Sequence, residues 1–264
     1  MDILDRVCAA YAWQRALGHA TEQKPWCRLV WDRAHPDVWD VNHVSEVRAP
    51  TPADVDQVLR WADEALGHCR HRLVVVDPLT PAHVAARLAL DEYRELTPTI
   101  QLVLDGPLRS VLRPLDLRPV ATEEDWETLE ALVRHDHTEA GRAQTHAMPP
   151  EVTRGIVASY RKKAPSYQFF LARVDGVDCA YGAGVLIPNG MGMVEDLFTL
   201  PAFRKRGIAT TLIARAIAHA RQQGADQILI GALATAEPKR LYARLGFEPV
   251  CVTRQYIKHL GVSS

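Results

Sequence analysis

The stretch Glu195-Asp196-Leu197-Phe198-Thr199-Leu200-Pro201-Ala202-Phe203-Arg204-Lys205-Arg206-Gly207-Ile208-Ala209-Thr210 is the most informative in the chain. A strand-like run closes at Pro201. Three cations follow at Arg204, Lys205 and Arg206, and small residues then open what the spacing predicts as a helix over 207–223. Gly207 lacks a Cβ, so the main chain turns sharply there and a ligand approaches closely. A helix N-terminus presents unpaired N–H groups and the positive end of its dipole, which together make an anion site. Behind it Ala209, Leu212, Ile213, Ala216, Ile217 and Ala220 recur at helical spacing, the buried stripe of an amphipathic helix. A pyrophosphate suits such a turn. A basic turn by itself is equally a solvated helix start, so the flanks decide.

Upstream, residues 167–174, 179–187 and 193–199 read as three strands in close succession. Asp175-Gly176 and Pro188-Asn189-Gly190 supply the hairpin turns between them. Downstream, a strand over 227–233 leads to Pro238-Lys239-Arg240-Leu241-Tyr242-Ala243-Arg244-Leu245-Gly246-Phe247, a short helix that stops at a C-terminal glycine. A final strand covers 249–257. Before the meander stand a strand over 115–120, a helix entered through the capping box Thr122-x-x-Asp125, and a second helix over 151–163 after Pro149-Pro150.

In these two motifs and their order the sequence resembles the GNAT superfamily of acetyl-CoA-dependent N-acetyltransferases. That family's phosphate loop reads Q/R-x-x-G-x-G/A, matched by Arg204, Gly207 and Ala209. Its later L-Y-x-x-x-G-F is matched by Leu241, Tyr242, Gly246 and Phe247. The resemblance spans residues 112–258. It implies an α/β (α+β) fold, a GNAT-like mixed sheet flanked by helices, preceded here by a smaller α/β domain. It implies an acyltransferase that moves an acetyl group from acetyl-CoA to an amine of a small molecule or peptide by direct attack. A non-catalytic acyl-CoA-binding or regulatory module, or a transferase of a longer acyl group, stands as the alternative.

The same resemblance implies site roles. The main chain of Leu197, Phe198 and Thr199 would pair with the pantetheine arm. Arg204, Lys205, Arg206, Gly207, Ile208, Ala209 and Thr210 would cradle the pyrophosphate, and Tyr242 would protonate the leaving thiolate. Glu195, sharing strand parity with Leu197 and Thr199, is the candidate base for the amine; Asp196, on the opposite parity, is the weaker one. Where the family places an Asn and an Ala before the tyrosine, this chain has Thr235, still able to hydrogen-bond to the cofactor, and Pro238, suited to a first helical position. His137, Glu139 and Arg142 fall where the family builds its acceptor pocket. The sequence does not name the acceptor.

The wider sequence bounds the reading. The chain has 264 residues, 47% apolar and 24% charged, with a formal charge of −1. Residues 1–110 and 111–200 each carry −4, and residues 201–264 carry +7, so the positive charge falls on the segment with both motifs. A coenzyme A thioester accounts for that charge, and no nucleic-acid partner is expected. Five scattered cysteines without a C-x-x-C argue against a disulfide framework and for a reducing, cytoplasmic setting. No run is long and apolar enough for a membrane span, and no membrane partner is expected. His135-Asp136-His137 with His146 nearby lacks the i, i+4 spacing of a helical metal site, so no metal is expected.

Residues 1–110 read as an α/β domain, with helices over 2–19, from Thr51 and over 80–93. Its strands fall over 27–31, 38–47, 73–76 and 100–104. Their order is similar to the later part of a GNAT domain without a phosphate loop, which implies a degenerate tandem half. Trp26, Trp31, Trp39 and Trp61 are read as packing residues. Turn chemistry at 105–114 marks the boundary, leaving 111–264 as the catalytic domain. The chain is compatible with a monomer or a homodimer.

Overall fold

The computed structural model describes residues 2–110, 112–139 and 148–261. In chain order these fold as α1 (Ile3–Ala16), β1 (Ala20–Lys24), β2 (Cys27–Trp31), β3 (His43–Ser45), α2 (Pro52–Ala65), β4 (His71–Val76), α3 (Ala82–Leu90), β5 (Arg94–Glu95) and β6 (Thr99–Asp105). There follow β7 (Asp116–Pro119), α4 (Glu123–Thr138), α5 (Pro150–Lys163), β8 (Tyr167–Val174), β9 (Val177–Leu186) and β10 (Gly192–Thr199). The chain ends with α6 (Ile208–Gln222), β11 (Gln227–Leu233), α7 (Pro238–Leu245) and β12 (Glu248–His259). It is the expected mixed α/β architecture, and among the described residues no helix is long and apolar enough to cross a membrane.

Helix starts follow the local chemistry. Thr51 and Asp54, and again Thr122 and Asp125, form reciprocal capping boxes in which the threonine oxygen accepts from the third amide and the aspartate accepts from the cap amide. Pro52 and Pro150 sit in first turns, where the missing N–H costs nothing.

The polypeptide divides into two compact units. One gathers Met1–Leu102, Ala232–Lys239 and Pro249–Ser264, and the other Val103–Gly231 with Arg240–Glu248. The division is thus interleaved rather than a single cut near residue 110. The physical reason is β4, whose six residues are all buried. Both of its edges need partners. One edge pairs β3 in parallel; the other pairs β12 antiparallel, from His71↔His259 to Val76↔Arg254. The last strand, expected in the catalytic domain, therefore completes the first unit's sheet, whose path runs β1-β2-β3-β4-β12-β6.

Two local expectations in this unit change. The strand expected over 38–47 is a short 3-10 turn, Trp39–Val41, followed by β3. Asn42 causes the break: its amide donates to the His35 and Val38 carbonyls, each at 2.9 Å, and its oxygen accepts from the Asp32 amide at 2.9 Å. β1 escaped the sequence reading because its residues are polar and mostly exposed, an edge strand without alternation. Trp26, Trp31 and Trp61 pack against the core formed by residues such as Leu29, Val44, Val58 and Val74, and Trp39 against Leu73 and Ile257.

The second unit's sheet runs β11-β10-β9-β8-β7. β7 to β10 are antiparallel, and β11 joins β10 in parallel. Its two faces are covered differently. Gly182 and Gly184 of β9 admit α6, the first facing Leu212 and Leu197, the second Ala216. On the other face Phe169 meets Trp126 of α4 at 5.7 Å and Tyr160 of α5 at 5.0 Å between ring centroids.

Candidate active site

The site begins where β10 stops pairing regularly. Its parallel register with β11 covers Gly192–Val194 opposite Ile228–Ile230, whereas the strand itself runs on to Thr199. Against β9 the register shifts, from Glu195↔Ala183 to Phe198↔Tyr181, so one extra residue sits in β10. Asp196 takes the left-handed conformation with φ +55°. That is costly for a residue with a Cβ and is concentrated at functional sites.

The bulge overturns the strict alternation assumed for this strand. Directly paired residues share a face, so Glu195 lies with Ala183 and Phe198 with Tyr181, on the side of α4 and α5. Leu197 faces Gly182 and the α6 side. Glu195 therefore does not share the face of Leu197. Asp196, expected on the opposite side from Glu195, reaches α5, where its Oδ1 accepts from the Tyr160 hydroxyl at 2.8 Å.

The turn after β10 is built as its composition requires. Pro201–Phe203 forms a 3-10 turn, Lys205 (φ +62°) and Gly207 (φ +84°) are both left-handed, and α6 starts at Ile208 without a side-chain cap. The first amides of α6 thus lack a side-chain partner, and among the described residues only Arg113 Cδ, at 3.9 Å, lies near the place a Gly207 Cβ would occupy.

The charge around the turn is more structured than a run of three cations suggests. Arg204 donates from Nε to the Thr199 carbonyl at 2.9 Å and from Nη1 to Glu139 Oε1 at 2.6 Å, and its other terminal nitrogen donates to Oε2. Its guanidinium lies 5.9 Å from the centre of the Phe198 ring, and the Glu139 carboxylate pushes its pKa further up. Arg206 donates to Asp175 at 3.3 Å and lies over Phe203 at 5.4 Å. Lys205 is exposed. Glu139, expected to face an acceptor, closes the α4 C-terminus onto the loop arginine.

A pair of phenol–carboxylate contacts lies on the α4/α5 side. Besides Tyr160–Asp196, the Tyr181 hydroxyl donates to Asp136 Oδ2 at 3.4 Å, and the Tyr181 and Phe198 rings stand 5.9 Å apart. Burial, then the Asp196 charge, pushes the Tyr160 phenol well above its ordinary 10. The sequence reading missed Tyr160 and Tyr181. Tyr181 lies in an apolar strand and Tyr160 beside the basic end of α5, neither belongs to a motif, and only the fold brings them to the carboxylates.

Tyr242 sits on α7, whose first residue is Pro238 as expected. The helix closes through Gly246 at φ +100°, with the Phe247 amide donating to the Tyr242 carbonyl at 3.1 Å. The Tyr242 side chain is buried, at 6% exposure, and its ring is 6.1 Å from that of Phe247. Thr235 belongs to the first unit, in the segment between β11 and α7. His137 joins α4 to α5, its Nδ1 2.9 Å from Thr153 Oγ1. Arg142 and His146 lie outside the described residues. Among the described residues no group of three His, Cys, Asp or Glu side chains is placed to hold a metal ion.

No curated protein matches the chain in sequence. Solved structures share its fold. A GCN5-related N-acetyltransferase from Kribbella flavida is 20% identical, over 99% of this chain and 97% of its own, with a TM-score of 0.72. A functionally unknown conserved protein from Staphylococcus epidermidis ATCC 12228 is 12% identical over 92% and 95%, with a TM-score of 0.68. A tandem GNAT protein from the clavulanic acid biosynthesis pathway is 14% identical over 81% and 72%, with a TM-score of 0.57. The first likeness spans both units, so the first unit's fold is shared along with the second's. Residues 126–247 match the acetyltransferase (GNAT) family model, a span that holds the bulged strand, the left-handed turn before α6 and Tyr242. That segment is an acetyltransferase domain of the GNAT family.

Proposed function

We propose that this protein transfers an acetyl group from acetyl-CoA to an amine of a small molecule or peptide. The observation that carries the reading is the pairing of an irregular strand with an open helix start. β10 runs past its register with β11 as far as Thr199, and eight residues later Gly207 opens α6 in the left-handed conformation. When bound, the thioester supplies an activated acyl group and a thiolate leaving group.

The chain's own residues do the rest. The amides from Lys205 to Thr210 bind the pyrophosphate, aided by the α6 dipole. The main chain of Leu197, Phe198 and Thr199 holds the pantetheine arm as an added strand. Tyr242 gives its phenolic proton to the departing sulfur; a buried phenol holds that proton until a basic thiolate forms. The bulge offers two carboxylates for the proton of the amine. Glu195 is the nearer to the regular strand, and Asp196 has its orientation set by Tyr160.

Thermal denaturation with and without acetyl-CoA tests the reading. The coenzyme is expected to raise Tm in proportion to the logarithm of its concentration. Gly207→Val, which places a branched side chain in the left-handed cradle, is expected to abolish the shift. Absence of any shift with the unsubstituted protein near millimolar acetyl-CoA refutes it. Release of free thiol across a panel of amines then separates transfer from binding alone, and longer acyl thioesters test the acyl choice.

A further inference from the structure

The three loop cations are not held alike. Arg206 meets Asp175 at 3.3 Å, and that carboxylate is 80% exposed; Lys205 is exposed. Arg204 is clamped. Its two terminal nitrogens donate to the two Glu139 oxygens at 2.6 and 2.5 Å, and its Nε donates to the Thr199 carbonyl at 2.9 Å. The clamp joins two separate elements, because Glu139 caps the C-terminus of α4 and Thr199 is the last residue of β10. A carboxylate at a helix C-terminus faces the negative end of the dipole, which disfavours it. Asp136, three residues earlier, adds a second negative charge near the same arginine. The local helix chemistry therefore works against Glu139, and Arg204 is what compensates it.

We propose that Arg204 has two rival partners, Glu139 in the free protein and the pyrophosphate of the coenzyme when it binds, so that Glu139 holds coenzyme affinity down. The inference rests on the function proposed above. Pair and coenzyme draw on the same groups. A guanidinium grips an oxyanion most strongly through two parallel N–H donors, and both terminal nitrogens of Arg204 are already engaged by Glu139. The Glu139 carboxylate also repels a second anion brought to the same cation. The Thr199 carbonyl, among the main-chain groups assigned to the pantetheine arm, already accepts from Arg204 Nε. Coenzyme binding is thus an exchange of partners: the Arg204–Glu139 pair opens as the phosphates arrive.

The test measures acetyl-CoA affinity by titration calorimetry on the full chain. Glu139→Gln keeps the shape of the side chain and removes the rival charge. It is expected to lower Kd by about 3- to 10-fold, the scale of a surface ion pair strengthened by bidentate geometry. Arg204→Gln is expected to raise Kd. In that background Glu139→Gln is expected to gain less than about 2-fold, because the two residues act through one contact. Asp175→Asn, which frees Arg206 from a long and exposed contact, is the control and is expected to gain less than Glu139→Gln.

An unchanged or raised Kd for Glu139→Gln overturns the proposal, since Glu139 then only positions the arginine. A full gain in the Arg204→Gln background, or an equal gain for Asp175→Asn, overturns it too, because the effect is then the general field of the carboxylates. Binding absent from the unsubstituted protein and from Glu139→Gln alike refutes the proposed function along with this inference. Binding present with an unaltered Kd refutes this inference alone.

Discussion

Gly184→Ala probes the contact that holds α6, and with it the left-handed turn at its start, against the sheet. A Cβ at this position would stand 2.7 Å from the Ala216 carbonyl oxygen, 2.9 Å from its Cα and 3.0 Å from its Cβ. Ordinary non-bonded contacts between carbons are about 3.5–4.0 Å, so α6 must retreat from β9 by most of an ångström or the strand must bend. The opposing atoms are mainly backbone, and no rotamer relieves them. Overpacking of this kind costs about 1–3 kcal/mol, offset in part by the roughly 0.5–1 kcal/mol that alanine gains over glycine inside a strand. A net loss of about 1–2 kcal/mol corresponds to a fall in Tm of about 2–8 °C, read by differential scanning fluorimetry. Because α6 carries the turn at its N-terminus, acetyl-CoA affinity measured by titration calorimetry is expected to fall as well. Gly182→Ala is the comparison: its Cβ would meet Leu197 Cδ2 at 2.6 Å, the end of a flexible side chain that can swing away. A Gly184→Ala Tm within about 1 °C of the unsubstituted protein, or a larger loss for Gly182→Ala, refutes the packing reasoning.

Tyr242→Phe is expected to lower kcat by about 10- to 1000-fold, within reach of a lost general acid, while acetyl-CoA affinity changes little; an unchanged kcat moves the acid role elsewhere. His71 is buried with its pKa lowered to about 4 from an ordinary 6.5, by burial first, against the Asn42 carbonyl that its Nε2 faces at 3.2 Å. The unfolded chain takes up that proton below about pH 6.5 and the folded protein does so only near pH 4. Stability is therefore complete above pH 6.5 and falls as the pH drops through that window, by about 2 kcal/mol between pH 7 and pH 5. His71→Phe is expected to remove that part of the pH dependence in urea titrations; an unaltered slope shows that His71 is not its source. Thr122→Ala removes the side-chain acceptor of the α4 capping box and is expected to cost about 1 kcal/mol. Chemical denaturation reads it directly, and a change under about 0.3 kcal/mol counts against the cap.

Much of the acetyltransferase domain is readable from residues close together in the chain. Thr122 and Asp125 announce α4 because a capping box needs only four residues. Gly207 and Gly246 take positive φ where a turn and a helix stop were expected, since a left-handed residue is a local requirement. The two motifs were found for the same reason. The bulge at Asp196 was not, because an extra residue in a strand shows only against its partner β9. With it went the face of Glu195, which period-two alternation assigned to the wrong side. The pairing of Arg204 with Glu139 joins residues 65 apart, and that of Tyr160 with Asp196 joins residues 36 apart. No spacing rule reaches that far.

The sequence by itself determined where most helices and strands begin and end, where the left-handed glycine opens α6, and which tyrosine stands before the helix-closing glycine. Each of these is an outcome of hydrogen bonds and backbone sterics within a few residues. Tertiary structure alone decided that the last strand completes the first unit's sheet, that two of the three loop cations are already ion-paired, and that Asp196 meets a buried phenol. Those outcomes turn on which distant surfaces share the cost of burying a strand edge or a charge. That cost is settled only when the whole chain is packed.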